Sequence, residues 1–300
     1  YAVFFSCRNC GNVIQCSHCD VSMTAHKNHV GDVDTLVCHY CGHSVAMPER
    51  CPECGSPYIA TFGLGTQKVE EMLRHLMPKA RILRMDADTT TGKHGHEGVL
   101  SAFREGKADI LIGTQMIVKG HDFPNVTLVA ALAADMSMFE QDYQSSERTF
   151  QLLQQASGRA GRSEKPGEVI IQTYKPEHYV IESIRKQDDT IFYENELAYR
   201  RMLGYPPCKA MLRVMVSAEK KEECEKILQN MEEWISQKYA GKVSVLGPSA
   251  GGLRKRKDRF HWQLMIKGAE TETLLGIKEE ITAWMENRPH SCYMQYELDG

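Results

Sequence analysis

Apolar and polar residues follow three rhythms along this chain. Between residues 67 and 77, Val69, Met72, Leu73 and Leu76 fall on one stripe, which predicts a helix. Short β-rich runs follow at 81–86, 110–112, 126–131 and 169–171, with helical patterns over 98–104 and in the stretch leading to Arg159 and Arg162. Strands alternating with helices predict a parallel α/β sheet, whose ligands collect at the carboxyl ends of strands. Gly113 and Thr114 fall where such an end belongs. From about residue 187 the period shifts again. Ala210, Leu212, Val214 and Val216 alternate, and Cys224, Ile227, Leu228, Met231, Trp234 and Ile235 share a helical face. Strands at 243–246 and through Trp262, Leu264 and Ile266 come next. A helix with Leu274, Ile277, Ile281 and Trp284 then leads to a last strand alternating at Cys292, Met294, Tyr296 and Leu298. That order, βαββαβ, predicts a ferredoxin-like split sandwich, with its Met and Trp residues in the core.

The first sixty residues are organised by cysteine instead. Four CxxC pairs stand in a row: Cys7/Cys10, Cys16/Cys19, Cys38/Cys41 and Cys51/Cys54. Eight thiolates supply two tetrahedral zinc sites of four cysteines each. Gly11, Gly42 and Gly55 follow three pairs and Asp20 the other, residue types that tolerate the positive φ of a tight turn behind a ligand. Eighteen residues separate Cys19 from Cys38, a zinc-ribbon spacing, which predicts one site from Cys16, Cys19, Cys38 and Cys41. The outer cysteines Cys7, Cys10, Cys51 and Cys54 then close a nested second site. His18, His26, His29, His39 and His43 are left to surface or packing roles.

Composition narrows the classes. With 42 % hydrophobic and 25 % charged residues the chain is ordinary globular protein. Thirty-six basic against 39 acidic side chains give a formal net charge of −3, so nucleic-acid binding must come from local patches. No apolar run approaches the roughly 20 residues of a membrane span. Cysteines spaced for metal point to a reducing cytoplasm rather than a disulfide framework. The first residue is Tyr1 rather than Met, so a fragment is expected. A basic run, Arg254, Lys255, Arg256, Lys257 and Arg259, follows a glycine-containing stretch and reads as a flexible loop suited to phosphates or to an acidic partner tail.

Two segments carry a family resemblance. GTQMIVKGHDFP (residues 113–124) and QASGRAGR (155–162) resemble motifs V and VI of superfamily 2 helicases. Together with the cysteine ladder upstream, they resemble the PriA (primosomal protein N′) family of bacterial replication-restart helicases. Gly63, Gly65 and Thr66 resemble that family's motif IV. The resemblance implies a multidomain architecture: a double four-cysteine zinc module (1–61), a RecA-like α/β helicase lobe 2 (62–186) and an α+β C-terminal domain (187–300). It implies ATP-driven 3′→5′ unwinding of DNA at stalled or branched forks and loading of further primosome proteins. Implied partners are branched and single-stranded DNA, single-stranded DNA-binding protein and other primosome proteins, with no membrane. Arg159 and Arg162 would act as arginine fingers on the γ-phosphate. Gly120, Asp122 and Gln155 would lie at the ATP, Thr114 and Gln115 at the DNA backbone, and Lys119 at either. No GxxxxGK[ST] phosphate loop is present. The implied cofactors are therefore two Zn²⁺ here, with ATP and Mg²⁺ only in the full-length enzyme, and this chain alone should not hydrolyse ATP. The rival readings are a non-catalytic zinc-scaffold module that binds nucleic acid or protein, and a related helicase acting on RNA or recombination intermediates.

Overall fold

The computed structural model describes residues 4–10, 12–19, 21–27, 33–38, 41–62, 65–86, 95–114, 117, 123, 125–138, 142–158, 167–286 and 292–299. The chain divides into two compact units: Gly63–Glu196, and Val3–Phe62 together with Leu197–Gly300.

The amino-terminal part is a five-stranded antiparallel sheet in the order β4-β3-β2-β1-β5. Its strands are β1 (Phe4–Cys7), β2 (Thr24–Lys27), β3 (Val33–Val37), β4 (Ser44–Ala46) and β5 (Ile59–Phe62). Strands this short bury little, and the small core around Met23 and Leu36 is completed by Cys16, Cys19 and Cys38 themselves. A core this small is one that a metal held by those same cysteines would staple.

In Gly63–Glu196, α1 (Thr66–Leu76) precedes β6 (Ile82–Met85), α2 (Gly95–Arg104) and β7 (Ile110–Gly113). After β8 (Leu128–Ala131) come α3 (Asp135–Met138), α4 (Ser145–Ser157), β9 (Glu168–Ile171), α5 (Tyr179–Lys186) and the start of α6 (Asp189–Leu203). The strand pairs are parallel, β6 with β7 and β8 with β9. Among the described residues these form two two-stranded sheets rather than the single sheet expected from the pattern. Two cores match the two pairs: Met85, Leu100 and Phe123 in one, Phe150, Leu153, Val180, Ile181 and Phe192 in the other. Phe150 and Phe192 lie face to face, centroids 4.0 Å apart. The stripe on α1 is only partly covered; Val69 and Leu73 are half-buried, while Met72 and Leu76 are exposed.

The carboxyl-terminal part runs β10 (Ala210–Ala218), α7 (Lys221–Lys238), β11 (Val243–Arg256), β12 (Arg259–Gly268), α8 (Thr271–Glu286) and β13 (Tyr293–Asp299). The sheet order is β11-β12-β10-β13, all antiparallel. Leu212, Val214 and Val216 pair across to Ile266, Leu264 and Trp262. All six lie in one core with Cys224, Leu228, Met231 and Ile235 of α7 and Leu274, Ile277 and Ile281 of α8. Both helices therefore cover the same face. The basic run is not a free loop: β11 and β12 extend to a two-residue turn at Lys257-Asp258. Ladder pairs Lys255↔Phe260 and Arg256↔Arg259 hold it in the sheet.

Candidate metal centres and the strand-end site

Each CxxC pair closes a turn in the same way. The amide of the first cysteine donates to the carbonyl five residues on: Cys7 to Asn12, Cys16 to Val21, Cys38 to His43 and Cys51 to Ser56, all at 2.8–2.9 Å. Gly42 and Gly55 take φ of +78° and +69° behind their knuckles, a conformation in which a Cβ is strained. Gly11 and Asp20 lie outside the described residues.

These turns gather the sulfurs into two groups, Cys7/Cys10/Cys51/Cys54 and Cys16/Cys19/Cys38/Cys41, each with ligand atoms within 4.8 Å of one another. Zn–S bonds of about 2.3 Å in a tetrahedron place sulfurs about 3.8 Å apart. The separations are 3.6 Å for Cys7–Cys54, 3.7 Å for Cys10–Cys51 and 3.6 Å for Cys16–Cys41, and all eight cysteines are free thiols. The donor set thus fits two Zn²⁺ ions. Charge points the same way. Amides of Cys10 and Asn9 bring the Cys7 thiol down to about 6. Cys10 receives the Asn12 amide, yet Cys54, burial, Cys7 and Cys51 push it up to about 12. Four thiolates so close cannot all ionise without a cation among them.

Of the histidines, His18 pairs with Asp258 at 2.7 Å and meets His43 edge to face at 4.6 Å. His29 and His39 lie outside the described residues, as does the side chain of His26.

In Gly63–Glu196, Thr114 is exposed just beyond the end of β7. Gly113 is required there. A Cβ would lie 2.7 Å from the Met85 carbonyl oxygen and 2.5 Å from Ile117 Cγ2. Beside it sits a polar network that spacing does not reveal. Thr66 Oγ1 donates to Asp86 Oδ2 at 2.6 Å, and Arg84 bridges Asp86 and Glu70, the latter at 3.0 Å. Asp86 is buried. The one hint in sequence is that Arg84 and Asp86, two apart along an extended segment, share a side of it. Gln155 is exposed on α4. Gln115, Lys119, Gly120, Asp122, Arg159 and Arg162 lie outside the described residues.

On the hairpin, Arg254, Arg256 and Lys257 are exposed. Arg259 is half-buried; it donates to the Ser217 carbonyl at 2.7 Å and lies 4.6 Å over the Tyr293 ring. Lys255 donates to the Ser17 carbonyl at 3.0 Å. A buried lysine missed in sequence, Lys267, donates to the Leu203 carbonyl at 3.0 Å and lies 3.4 Å from the Tyr205 ring centroid. With the Arg200–Pro206 bond at 3.0 Å, it clamps the segment that enters β10.

Comparison with known proteins gives two family matches: "Helicase conserved C-terminal domain" over residues 58–164 and "Primosomal protein N C-terminal domain" over 201–299. Replication restart protein PriA of Bacillus subtilis (strain 168) is 48 % identical over 299 residues, 100 % of this chain and 37 % of that protein. The Synechocystis sp. protein of the same name is 43 % identical over 100 % of this chain and 36 % of its own length. That of Thermotoga maritima is 35 % identical over 91 % of this chain and 36 % of its own length. The chain therefore spans little more than a third of the curated relatives it matches.

Proposed function

This chain is homologous along its whole length to the replication restart protein PriA family, and on that premise we propose that it supplies the second motor lobe, the zinc scaffold and the C-terminal domain of an ATP-driven 3′→5′ DNA helicase. One observation carries this reading: two four-cysteine groups, a helicase C-terminal match and a primosomal C-terminal match stand together in one chain. The enzyme recognises branched and single-stranded DNA at stalled forks and assembles primosome proteins there, in concert with single-stranded DNA-binding protein, in the bacterial cytoplasm.

Residues 62–186 act as a RecA-like lobe. Thr114, at the carboxyl end of a parallel strand, and Gln115 meet the DNA backbone; Lys119 serves DNA or nucleotide; Gly120, Asp122 and Gln155 border the ATP. Arg159 and Arg162 reach the γ-phosphate across the interface with a preceding lobe. They stabilise charge that develops as phosphate is transferred to water. The phosphate loop and the carboxylate that holds Mg²⁺ must come from that other lobe, because a lone arginine pair offers no amide cradle for a triphosphate. The two zinc ions set the scaffold, and Arg254, Arg256 and Lys257, with Lys255 and Arg259 behind them, give the hairpin its pull on phosphates.

The test is hydrolysis measured with and without DNA. Residues 1–300 alone should be inert. In the full-length protein, DNA should stimulate hydrolysis, and Arg162→Ala should cut kcat by about 10³-fold or more while DNA binding persists. DNA-stimulated hydrolysis by the 300-residue chain, or full activity in the variant, overturns the assignment.

A further inference from the structure

The two metal centres differ in where their outer hydrogen bonds originate. In the first group the amides aimed at sulfur come from the knuckles themselves: Cys10 and Asn9 to Cys7, Asn12 to Cys10, Cys54 and Glu53 to Cys51. In the second, Cys16 is served by His18 and Cys19, but Cys19 receives the amide of Lys257, N to Sγ 3.3 Å, from a residue 238 positions away. That amide belongs to the β11–β12 turn.

The same hairpin end also holds Ser17 and His18, the two residues between the cysteines of that knuckle. Lys255 Nζ donates to the Ser17 carbonyl at 3.0 Å, and the Asp258 amide donates to the His18 carbonyl at 3.0 Å. The Asp258 carboxylate meets His18 Nδ1 at 2.7 Å and, through its other oxygen, Lys255 at 3.2 Å. Lys257 and Asp258 both take positive φ, +50° and +60°. A two-residue hairpin turn of this hand needs this, but the conformation crowds a Cβ against the following carbonyl oxygen and is strained in both residues. A strained backbone of this kind persists where its surroundings over-determine it, and here the knuckle's carbonyls and sulfur do so. His43, from the other knuckle of the same group, packs edge-on against His18 and extends the contact.

We infer that the Lys257–Asp258 turn is an outer clasp of the second zinc site, through which the C-terminal domain holds a metal ligated by the amino-terminal module. Amide donation to a thiolate disperses its charge and shields it from protonation, and groups outside the ligand shell commonly alter metal retention 10- to 100-fold, to order of magnitude. Retention at the second site therefore depends on the hairpin, and retention at the first does not. The inference rests on the reading that both groups hold zinc.

Zinc transfer from the loaded 300-residue protein to an excess of a chromogenic chelator tests it. Two glycines inserted between Lys257 and Asp258 pull the amide off Cys19. One of the two zincs should then leave about tenfold faster while the other keeps its rate. Asp258→Ala should speed the same zinc by a smaller factor. The double change Lys257→Asn/Asp258→Gly favours the same turn geometry and keeps the amide. It should stay nearer the parent than the insertion does. Unchanged release of both zincs in the insertion variant overturns the clasp, and so does equal acceleration of both, which would report general unfolding. A parent protein that binds fewer than two zincs per chain defeats the metal reading itself, a result distinguishable from either.

Discussion

Gly113 shows how much one side chain decides. Its missing Cβ lets the end of β7 lie against the backbone of β6, with the Met85 carbonyl oxygen 2.7 Å from where a methyl would sit. The Ile117 side chain can turn aside, but a backbone carbonyl in a ladder cannot. Gly113→Ala should therefore destabilise Gly63–Glu196 by about 1–3 kcal/mol, read as a lowered urea midpoint. A midpoint equal to the parent's would show that the two strands part readily. The entry to β7 titrates. Side-chain bonds from Arg81, then its amide, hold the Asp109 carboxyl down from 3.8 to about 2. The folded state favours the ionised form, so the stability it adds is present above 3.8 and is lost as pH falls toward about 2. Melting temperatures of the parent and Asp109→Asn should differ near neutrality and converge across that window. The difference is the quantity to read, because acid also releases cysteine-bound metal. A gap constant from pH 5 to pH 2, roughly spanning both protonation states, would refute the assignment.

At the scale of elements, the β11–β12 hairpin is where expectation and structure part. Glycines and a run of like charge read as a flexible loop, yet β11 continues as strand to Arg256. Pairing with β12 satisfies the backbone, and the turn lands on the zinc knuckle. The five cations are consequently not equivalent. Arg254→Glu and Arg256→Glu alter exposed heads and should weaken DNA binding while moving the melting temperature little. Arg259→Glu loses the Ser217 bond and the stack on Tyr293. It should cost about 1–3 kcal/mol in chemical denaturation, more than either of the others. Equal costs at all three positions would return the hairpin to a solvated loop. The helices α5 and α6 are among the elements that the pattern missed, along with α3 and the strands β1–β5. The buried apolar residues of α5 and α6, Val180, Ile181 and Phe192, are few and join the core with Phe150 and Leu153 of α4 rather than extend a visible stripe.

For the whole molecule, the separation of cores predicts a selective response to metal loss. The sheet β1–β5 encloses a core completed by cysteines of one of the two candidate metal groups, whereas Phe150 and its neighbours, and the core between α7, α8 and their sheet, contain no cysteine of either group. Chelation should abolish amide-exchange protection in β3 and the knuckles and spare α4 and β10. Uniform loss of protection would mean that zinc holds the entire chain. What the sequence determined by itself was local and periodic: the strand and helix order after residue 210, the helix before β6, and four knuckles whose spacing leaves little freedom in how a metal joins them. A period of two or 3.6, or a CxxC turn, is enforced within a few residues and so is written within a few residues. The remainder came from long-range packing. Thr66 with Asp86, Phe150 with Phe192, Lys267 with Tyr205, and His18 with Asp258 across 240 positions obey no period. Such pairs arise when burial brings distant side chains together and leaves each polar group to find a partner or lose its hydration, a requirement that one stretch of chain cannot express.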